Sequence, residues 1–525
     1  MKKIFLVLIT LSVLAASFSG CSAPEPEQTT ELFPEETTSH GPTLSAPDQS
    51  VNTLFALPYC YNENGVFNPI LSHSEICSPL FSLLYDGLFA IDDRGNVLPR
   101  LASEITVEET TVTIKLRTDA TFHDGSKVDA TDVLWSLKLA KENKSSRYAG
   151  RLSNVADISS PDRSTVVLTL NAEQGSIAHC LDIPIIKNGS GIYSNAVGCG
   201  RYRIIEQEES MYLMANEGWY ARPADSGFPI DLIILTYVDN LDDLVYSMVS
   251  GNSNLVRLDP FIFTDKKIGG NSDTYNVQSR DFLYFAFNTS YYAPTSSEGL
   301  RKALASAIDI SELLDTCYNG VTYTDGLFPE SITKISPAEA PSADVALASK
   351  LMRNEGYRQL ADGWIDAEGN ALELTIVCGR DTAKQDAAAL LQKNLSELGI
   401  TCTVKTVDDV AEIIALGKFD IAVCETTLSP DYDFRYLLSY DGAENFNKFV
   451  IPDVEAHLSD FFTNGHQNSA ASARKINRAV KNSMPIIPIG YKEDTVCLSR
   501  DFAFGNVRVA ADDPFSNIFD WVRYR

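Results

Sequence analysis

The sequence predicts an α/β fold divided into more than one lobe, and three observations support this prediction. A chain of 525 residues is too long for one ordinary hydrophobic core. Residues 122–137 have the pattern of a strand end, a turn and a helix. Residues 343–406 then alternate a helix that ends before Gly356, a strand at 372–378, a helix at 387–398 and a strand at 400–406, which is typical of a sheet covered by helices.

The helix in residues 122–137 is predicted to have a capped N-terminus. Asp129 is a favourable N-cap residue, and Asp132 lies three positions later. Their carboxylates can therefore accept hydrogen bonds from the amides of the first turn. His123 precedes this helix, and we expect it to be a turn or packing residue.

The N-terminus predicts export. Lys2 and Lys3 are followed by an apolar run and then by small residues, so residues 1–20 are interpreted as a signal peptide. Small residues at positions 19 and 20, directly before Cys21, resemble a bacterial lipobox, although Phe18 stands where leucine is usual. This resemblance implies that cleavage leaves a lipid-modified Cys21. Ordinary secretory cleavage, with Cys21 as a bystander, stays open.

Residues 21–50 are predicted to be a disordered linker that carries the lipid anchor at its first residue. After Cys21 the segment holds five prolines, five glutamates and neither Lys nor Arg. Such a composition cannot bury enough apolar surface to fold. It should act as an extended spacer between the membrane and the folded part.

Charge and composition exclude several functional classes. The formal net charge of −27 makes nucleic acid and anionic lipid surfaces poor partners for the folded part. The six histidines are dispersed, and the sequence has no zinc-type Cys/His spacing and no hydrolase, nucleotide-binding or phosphate-binding motif. Nine scattered cysteines remain besides Cys21, and we expect most of them to be thiols. No catalytic residue, metal or cofactor is predicted.

Several spaced motifs together point to a family. Residues 84–89 read Leu-Tyr-Asp-Gly-Leu-Phe and residues 98–102 read Leu-Pro-Arg-Leu-Ala; an alternating strand at 111–117 and Phe-His-Asp-Gly at 122–125 follow. In this order the motifs resemble those of the extracytoplasmic solute-binding proteins of family 5, the oligopeptide/dipeptide-type substrate-binding lipoproteins of ABC importers. The resemblance extends from about residue 51 to the end. One departure is Gly-Cys-Gly-Arg-Tyr at 198–202, where the family usually has Gly-Thr-Gly-Pro-Tyr.

The resemblance implies a two-lobed, periplasmic-binding-protein-like clamp of type II, cluster C-like, with an extra subdomain in the first lobe. Residues 284–289 are predicted to form an aromatic strand, and the chain is expected to pass between the lobes near residues 284–308 and to return at 485–490. The implied segments are, for lobe I, residues 51–75, 181–280 and 488–525; for its extra subdomain, residues 76–180; and for lobe II, residues 281–487.

The resemblance also implies where a ligand binds. Residues 419–424 are predicted to form a short buried strand. In the family, the loop after the matching strand supplies a carboxylate that binds the α-amine of a peptide, and Asp431 is the matching position here. Asp433 is the alternative to it. Tyr432 is expected to belong to the ligand-binding set and line the cleft, although packing beside the cleft stays open. The loop lacks the family's upstream tryptophan and downstream proline, so a purely loop-capping role for Asp431 stays open.

Ser74 and Glu75 are expected to face this loop. They lie where family members contact the backbone of the ligand, although Ser-Glu before an apolar helix is also a common helix start. Together these residues are the predicted ligand-binding set. Their chemistry suits a short peptide, because an ammonium group in a closed cleft needs a paired anion.

The predicted function is that of the substrate-binding component of an ABC transporter. The protein would capture short peptides between its lobes, act as a monomer anchored to the membrane through Cys21, and deliver its cargo to the transmembrane subunits of a permease. Other cargoes, such as an oligosaccharide or a nickel chelate, stay open, as does a role as a peptide-sensing receptor. A surface-anchored hydrolase would need a nucleophile and a base that meet in the cleft.

Overall fold

The computed structural model covers most of the chain after residue 53. It describes residues 54–60, 67–72, 76–92, 95–143, 146–192, 194–207, 210–259, 261, 271–361, 363–440, 442, 445, 449–464, 470–502, 504–510 and 512–523. The predicted signal peptide, the linker and Cys21 lie outside these residues, as do Ser74 and Glu75. Within the described part, no helix has both the length and the apolar composition that crossing a membrane requires.

The strands of the first half are short. In chain order they are β1 (Phe55–Tyr59), β2 (Phe89–Ile91), β3 (Val97–Pro99), β4 (Ala102–Glu108), β5 (Thr111–Leu116), β6 (Val155–Asp162), β7 (Thr165–Leu170), β8 (Tyr202–Gln207), β9 (Ser210–Ala215), β10 (Leu232–Tyr237) and β11 (Leu255–Leu258). One sheet has the order β1-β10-β9-β8 and another the order β4-β5-β7-β6, while β2 pairs with β3.

The second half contains two much longer strands, β12 and β19. Its strands are β12 (Ser272–Phe287), β13 (Val321–Tyr323), β14 (Arg358–Leu360), β15 (Gly363–Ile365), β16 (Glu373–Cys378), β17 (Thr401–Thr406), β18 (Ile421–Thr427), β19 (Ile486–Ser499), β20 (Phe504–Gly505) and β21 (Val522–Arg523). The main sheet has the order β11-β19-β12-β18-β16-β17, and β13 also pairs with β19.

The helices surround these sheets, and many begin at an Asp, Asn or Ser whose side chain accepts a hydrogen bond from the first turn. They are α1 (Ser78–Leu84), α2 (Ala130–Glu142), α3 (Leu241–Val249), α4 (Glu298–Ser306), α5 (Ile310–Thr316), α6 (Glu330–Thr333), α7 (Val345–Asn354), α8 (Thr382–Glu397), α9 (Val410–Ala415), α10 (Arg435–Leu438), α11 (Val454–Asn464) and α12 (Ala470–Ser483).

The predicted capping of α2 is confirmed. The Asp129 carboxylate accepts a hydrogen bond from the Thr131 amide at 2.8 Å, and the Asp132 carboxylate accepts one from the Asp129 amide at 2.9 Å. Asp132 also accepts a hydrogen bond from the Asn188 amide at 2.9 Å. The cap therefore also holds the chain that runs toward β8. The His123 amide donates to the Gly198 carbonyl at 2.8 Å, so this residue packs against the same region.

The predicted alternation in residues 343–406 is also confirmed, as α7, β16, α8 and β17. Two boundaries were wrong. Helix α8 begins at Thr382 rather than 387, because Asp381 caps it before its apolar spacing starts. The strand predicted from residue 419 begins at Ile421 and extends to Thr427, where its polar end pairs with β12.

Strands β12 and β19 carry the chain from one part of the protein to the other. They pair antiparallel from Ser272 opposite Ser499 to Ala286 opposite Ile486. The pairing is interrupted between Gln278 and Phe282, where the register shifts. The first half of β12 lies in the part that contains β11, and its second half pairs with β18. The aromatic strand predicted at residues 284–289 is therefore only the end of a longer crossing strand.

The hydrophobic clusters change at the same place. Buried residues of one large cluster come from residues 55–255 and 496–521, whereas two further clusters are drawn from residues 282–491. We therefore propose that lobe I comprises residues 51–75, 181–280 and 488–525, and lobe II residues 281–487. The proposed subdomain, residues 76–180, shares one continuous core with the rest of lobe I.

Candidate ligand-binding site

A cavity of about 1150 Å³ lies over the interrupted pairing of β12 and β19. Its floor includes Arg280 and Asp281 from β12 and Lys492 and Asp494 from β19. Tyr85 and residues of the C-terminal segment line it from lobe I. The loop after β18 lines it from lobe II. Both lobes and both crossing strands thus contribute to one open cleft.

Arg280 ties three segments together at this floor. Its Nε donates to the Leu428 carbonyl at 3.1 Å, and its carbonyl accepts a hydrogen bond from the Leu428 amide at 2.9 Å. Its guanidinium also forms an ion pair with Asp512 in the C-terminal segment. The Arg280 side chain is only 14% exposed, while that of Asp512 is 40% exposed to the cleft. A crossing-strand residue therefore joins the ligand loop of lobe II to lobe I.

The electrostatics of Asp512 follow from this contact. Its enclosure by protein would by itself raise its pKa, because burial disfavours a charged carboxylate. The guanidiniums of Arg280 and Arg151 outweigh that effect and hold the pKa of Asp512 well below its ordinary value. Asp512 is therefore a carboxylate at neutral pH.

A second group of charges surrounds Lys492. Its Nζ forms an ion pair with Glu425 and lies 3.4 Å from Asp259 Oδ2. Burial alone would lower the pKa of Lys492, but the carboxylates of Glu425 and Asp259 raise it above its ordinary value. Lys384 contacts the other oxygen of Glu425 at 2.8 Å. The cavity floor thus holds charges of both signs that are already paired.

The predicted ligand loop contributes Tyr432 and Asp433 to the cavity wall. Tyr432 has a φ of 55°, a left-handed conformation that an aromatic residue adopts only when its surroundings impose it. Asp433 forms a forked contact with Arg435, with oxygen–nitrogen distances of 2.8 and 3.0 Å. Burial raises the pKa of Asp433; the Arg435 guanidinium opposes this rise, and the Asp431 carboxylate adds to it.

Asp431 lies behind this wall and does not reach the cavity. Its side chain is completely buried. Its carboxylate accepts hydrogen bonds from Gln174 Nε2 at 2.6 Å, Ser176 Oγ at 2.9 Å and Ser429 Oγ at 2.5 Å. Gln174 and Ser176 belong to the proposed subdomain of lobe I. Asp431 is therefore part of a contact between the two lobes.

Backbone contacts extend this connection along residues 173–176, which we call the docking segment. The Gly175 amide donates to the Phe462 carbonyl at 2.7 Å. A Cβ atom at Gly175 would lie 2.7 Å from the Thr463 carbonyl oxygen, closer than such atoms approach. Glycine is therefore required for this close approach of the two lobes.

The structure thus separates the predicted site residues. Tyr432 and Asp433 line the cavity, Asp431 does not, and Ser74 and Glu75 lie outside the described residues. The sequence reasoning missed Arg280 and Lys492, whose only signal is their position inside strands that cross between lobes. It also missed Gln174, for which the local sequence carries no signal.

Two lobes that are joined by paired crossing strands and enclose a charged cavity define a ligand-binding clamp of the periplasmic-binding-protein type. Residues 96–448 match a family model that describes the middle part of such proteins. The chain belongs to this family, the bacterial extracellular solute-binding proteins of family 5. The family predicted from the sequence motifs is thereby confirmed, and with it an extracytoplasmic location.

Individual relatives are distant but match most of the chain. Protein XP55 of Streptomyces lividans is 24% identical over 422 residues, which cover 74% of this chain and 76% of that protein. The oligopeptide-binding protein AppA of Bacillus subtilis is 20% identical over 495 residues, which cover 87% of this chain and 88% of AppA.

Solved structures confirm the predicted two-lobed fold. That of Bacillus subtilis AppA with a nonapeptide matches with a TM-score of 0.63 and 15% identity, covering 90% of this chain and 100% of AppA. That of a nickel ABC transporter protein from Bacillus halodurans matches with a TM-score of 0.71 and 16% identity, covering 88% of this chain and 98% of that one.

Replacing Gly175 with Ala should open the clamp. The added Cβ clashes with the Thr463 carbonyl only while the docking segment touches lobe II. A clash of about 1–3 kcal/mol shifts the closed-to-open ratio by roughly 5- to 150-fold. Small-angle X-ray scattering should therefore give a larger radius of gyration for Gly175→Ala. Gly227→Ala is the matched control, because a Cβ there meets no atom within 4 Å; equal radii for both variants would contradict the role of Gly175.

Replacing Asp512 with Asn should destabilise the protein in a pH-dependent way. At neutral pH we expect a loss of about 1 kcal/mol, because Arg280 keeps its charge without its partner, while solvent partly screens the pair at the 40% exposed Asp512. The folded-state pKa of Asp512 lies below the ordinary value of 3.8. The stabilising contribution is therefore complete above pH 3.8 and is lost as the pH falls through the folded-state pKa.

Urea unfolding of wild type and Asp512→Asn between pH 7 and pH 3 measures this difference. It should stay constant down to about pH 5 and shrink below pH 3.8. The exposed Asp225, replaced by Asn, serves as the control and should change stability by less than about 0.5 kcal/mol. A difference that is the same at every pH would mean that the Asp512 charge is not responsible.

Proposed function

We propose that this chain is the substrate-binding component of an ABC importer that captures short peptides and delivers them to the transmembrane subunits of a permease. The observation that carries this proposal is the cavity of about 1150 Å³ that residues of both lobes line. Pockets for single small molecules measure about 300–1,000 Å³, so the cavity has room for an extended ligand. The similarity to the oligopeptide-binding protein AppA over 87% of the chain supports the same cargo class.

The charges of the cavity also favour a peptide. Carboxylates slightly outnumber Lys and Arg side chains among the lining residues, and charges of both signs face the cavity. A peptide carries an ammonium group at one end and a carboxylate at the other, so it can meet both signs. An oligosaccharide offers no charged end that could interact with these groups, which already pair with one another.

A nickel chelate fits the described residues less well. His179 is the histidine of the cavity lining, and its Nδ1 lies 3.2 Å from the Ser176 carbonyl oxygen. Among the residues that the structure describes, no three His, Cys, Asp or Glu side chains are grouped to hold a metal ion. Nickel is therefore a competing outcome of the experiment below and not a second proposal.

The site residues take different roles in this proposal. Tyr432 and Asp433 contact the ligand, and Asp433 accepts the hydrogen bonds of its α-amine. Asp431 acts from behind the wall, by holding the docking segment against lobe II. Ser74 and Glu75 are proposed to contact the peptide backbone from lobe I.

The proposal includes membrane attachment. Residues 1–20 are removed, Cys21 receives the lipid, and residues 21–50 connect the lipid to a monomeric clamp. The clamp performs no catalysis, since ligand binding needs only a free-energy difference between its open and closed forms.

Native mass spectrometry of the purified protein tests the cargo. The expected result is a ladder of bound species whose masses, after release in denaturing solvent, correspond to short peptides. A ligand released as a glycan or as a nickel complex would refute the peptide proposal. The same preparation, unfolded and refolded without ligand, is the control for adducts that do not depend on the site.

Two variants then separate the roles of the acidic residues. The probe is one peptide from that ladder, measured by calorimetry as the free amine and as its N-acetylated form. Asp433→Asn should weaken binding of the free amine at least about tenfold, or 1.4 kcal/mol, and leave the acetylated peptide nearly unchanged. Asp431→Asn should weaken both forms equally, because it acts on closure. A selective loss with Asp431→Asn instead would make Asp431 the amine acceptor, as the sequence motif implied.

A further inference from the structure

Two cysteine sulfur atoms meet where β1 ends and α1 begins. Cys60 Sγ lies 3.4 Å from Cys77 Sγ. The Cys60 amide donates to Cys77 Sγ at 3.2 Å, and Cys77 Sγ donates to the Cys60 carbonyl at 3.1 Å. The two residues are thus held together by their backbones as well as by their side chains.

The elements on either side fix this geometry. Strand β1 runs parallel to β10, with pairing up to Tyr59 opposite Tyr237, directly before Cys60. Cys77 is the N-cap residue of α1, whose side chains are mostly buried in the core of lobe I. Neither cysteine can move far without disturbing the sheet or the core, so the short sulfur–sulfur distance is a property of the fold.

We propose that Cys60 and Cys77 form a disulfide bond in the exported protein. A disulfide requires a sulfur–sulfur distance of about 2.05 Å, and rotation of the two side chains can supply the remaining approach. Extracytoplasmic proteins experience conditions in which disulfides form and persist. The family of this chain is extracellular, which places the pair in such conditions.

The reaction needs an external disulfide as oxidant, for example a low-molecular-weight disulfide R–S–S–R. Cys60 is half-buried and Cys77 is 1% exposed, so Cys60 reacts first. Its thiolate attacks one sulfur of the oxidant, forming a mixed disulfide and releasing RS⁻. The Cys77 thiolate then attacks the Cys60 sulfur and releases the second RS⁻. The two thiol protons end on the two RSH products, and the protein loses two electrons.

Other cysteines are poorly suited to this chemistry. Cys180 and Cys199 are buried, and burial raises the pKa of both thiols well above the ordinary value. Burial therefore disfavours the first step, attack on an external oxidant, at these two residues. A Cys60–Cys77 bond leaves seven of the nine cysteines beyond Cys21 as thiols, so the odd cysteine number does not oppose it.

The bond would close a loop between positions 17 apart in sequence. Restricting the unfolded chain in this way stabilises the folded state, and for a loop and a protein of these sizes the expected rise in Tm is roughly 3 °C. The loop connects a sheet strand to a core helix of lobe I. Reduction would therefore loosen lobe I without removing any contact of the cavity floor.

Peptide mapping tests the bond directly. The full-length chain without its signal segment is reduced, exchanged into oxidised glutathione, blocked with N-ethylmaleimide and digested without reductant. The expected product is one linked peptide pair that contains Cys60 and Cys77, with an intact mass lower by two hydrogen atoms. Cys60→Ser and Cys77→Ser should lack it. Cys317→Ser, at a partly exposed thiol, should retain it.

The remaining outcomes decide against the proposal. Maleimide on both Cys60 and Cys77, or glutathione that stays attached to Cys60, would overturn it. A Tm comparison of oxidised and reduced wild type, which needs no variant that folds poorly, gives a second test. Equal Tm values would remove the stabilising role even if the linked peptides were found. None of these outcomes depends on which ligand the clamp binds.

Discussion

The antiparallel pairing of β12 with β19 is the constraint on which the rest of the structure depends. Both strands run through the main sheet and pass between the two regions of hydrophobic core. Their register shifts between Gln278 and Phe282, and the cavity lies directly over this interruption. The side chains that form the cavity floor are therefore placed by the same strands that join the lobes.

This position explains the charges at the floor. A charged side chain enclosed by protein is costly unless it is paired. Arg280 pairs with Asp512, Arg257 with Asp494, and Lys492 with Glu425. The first two pairs join residues more than 230 positions apart. Such pairs hold distant segments around the cavity and still leave polar groups exposed to a ligand.

The sequence alone was sufficient for features that depend on neighbouring residues. The cap of α2 follows from Asp129 and Asp132, which are three positions apart, and the motifs around it were sufficient to predict the family and the two-lobed fold. Features that depend on distant residues were not predictable. Gln174 lies 257 positions from Asp431, so no local sequence pattern indicates that its side chain donates a hydrogen bond to the Asp431 carboxylate.

The crossing strands and the Cys60–Cys77 contact were not predicted for the same reason, since both depend on residues that are distant in the sequence. Only the aromatic end of β12 has a clear strand pattern, because its first half carries polar residues that face the cleft or the surface. The spacing of Cys60 and Cys77 resembles no motif, and their proximity follows from where β1 ends and α1 begins in lobe I. Pairwise contacts of this kind become visible only in three dimensions.

Two neighbouring strands that are hydrogen-bonded along most of their length resist sliding past one another. They bend most readily where their pairing is interrupted, here beside Arg280. We therefore expect relative motion of the two lobes to be concentrated at this interruption. A ligand that contacts both lobes would therefore act on this one interruption, whatever its chemical class. Dissimilar ligands that contact both lobes would then cause the same movement, and a membrane partner could recognise that movement without contacting the ligand.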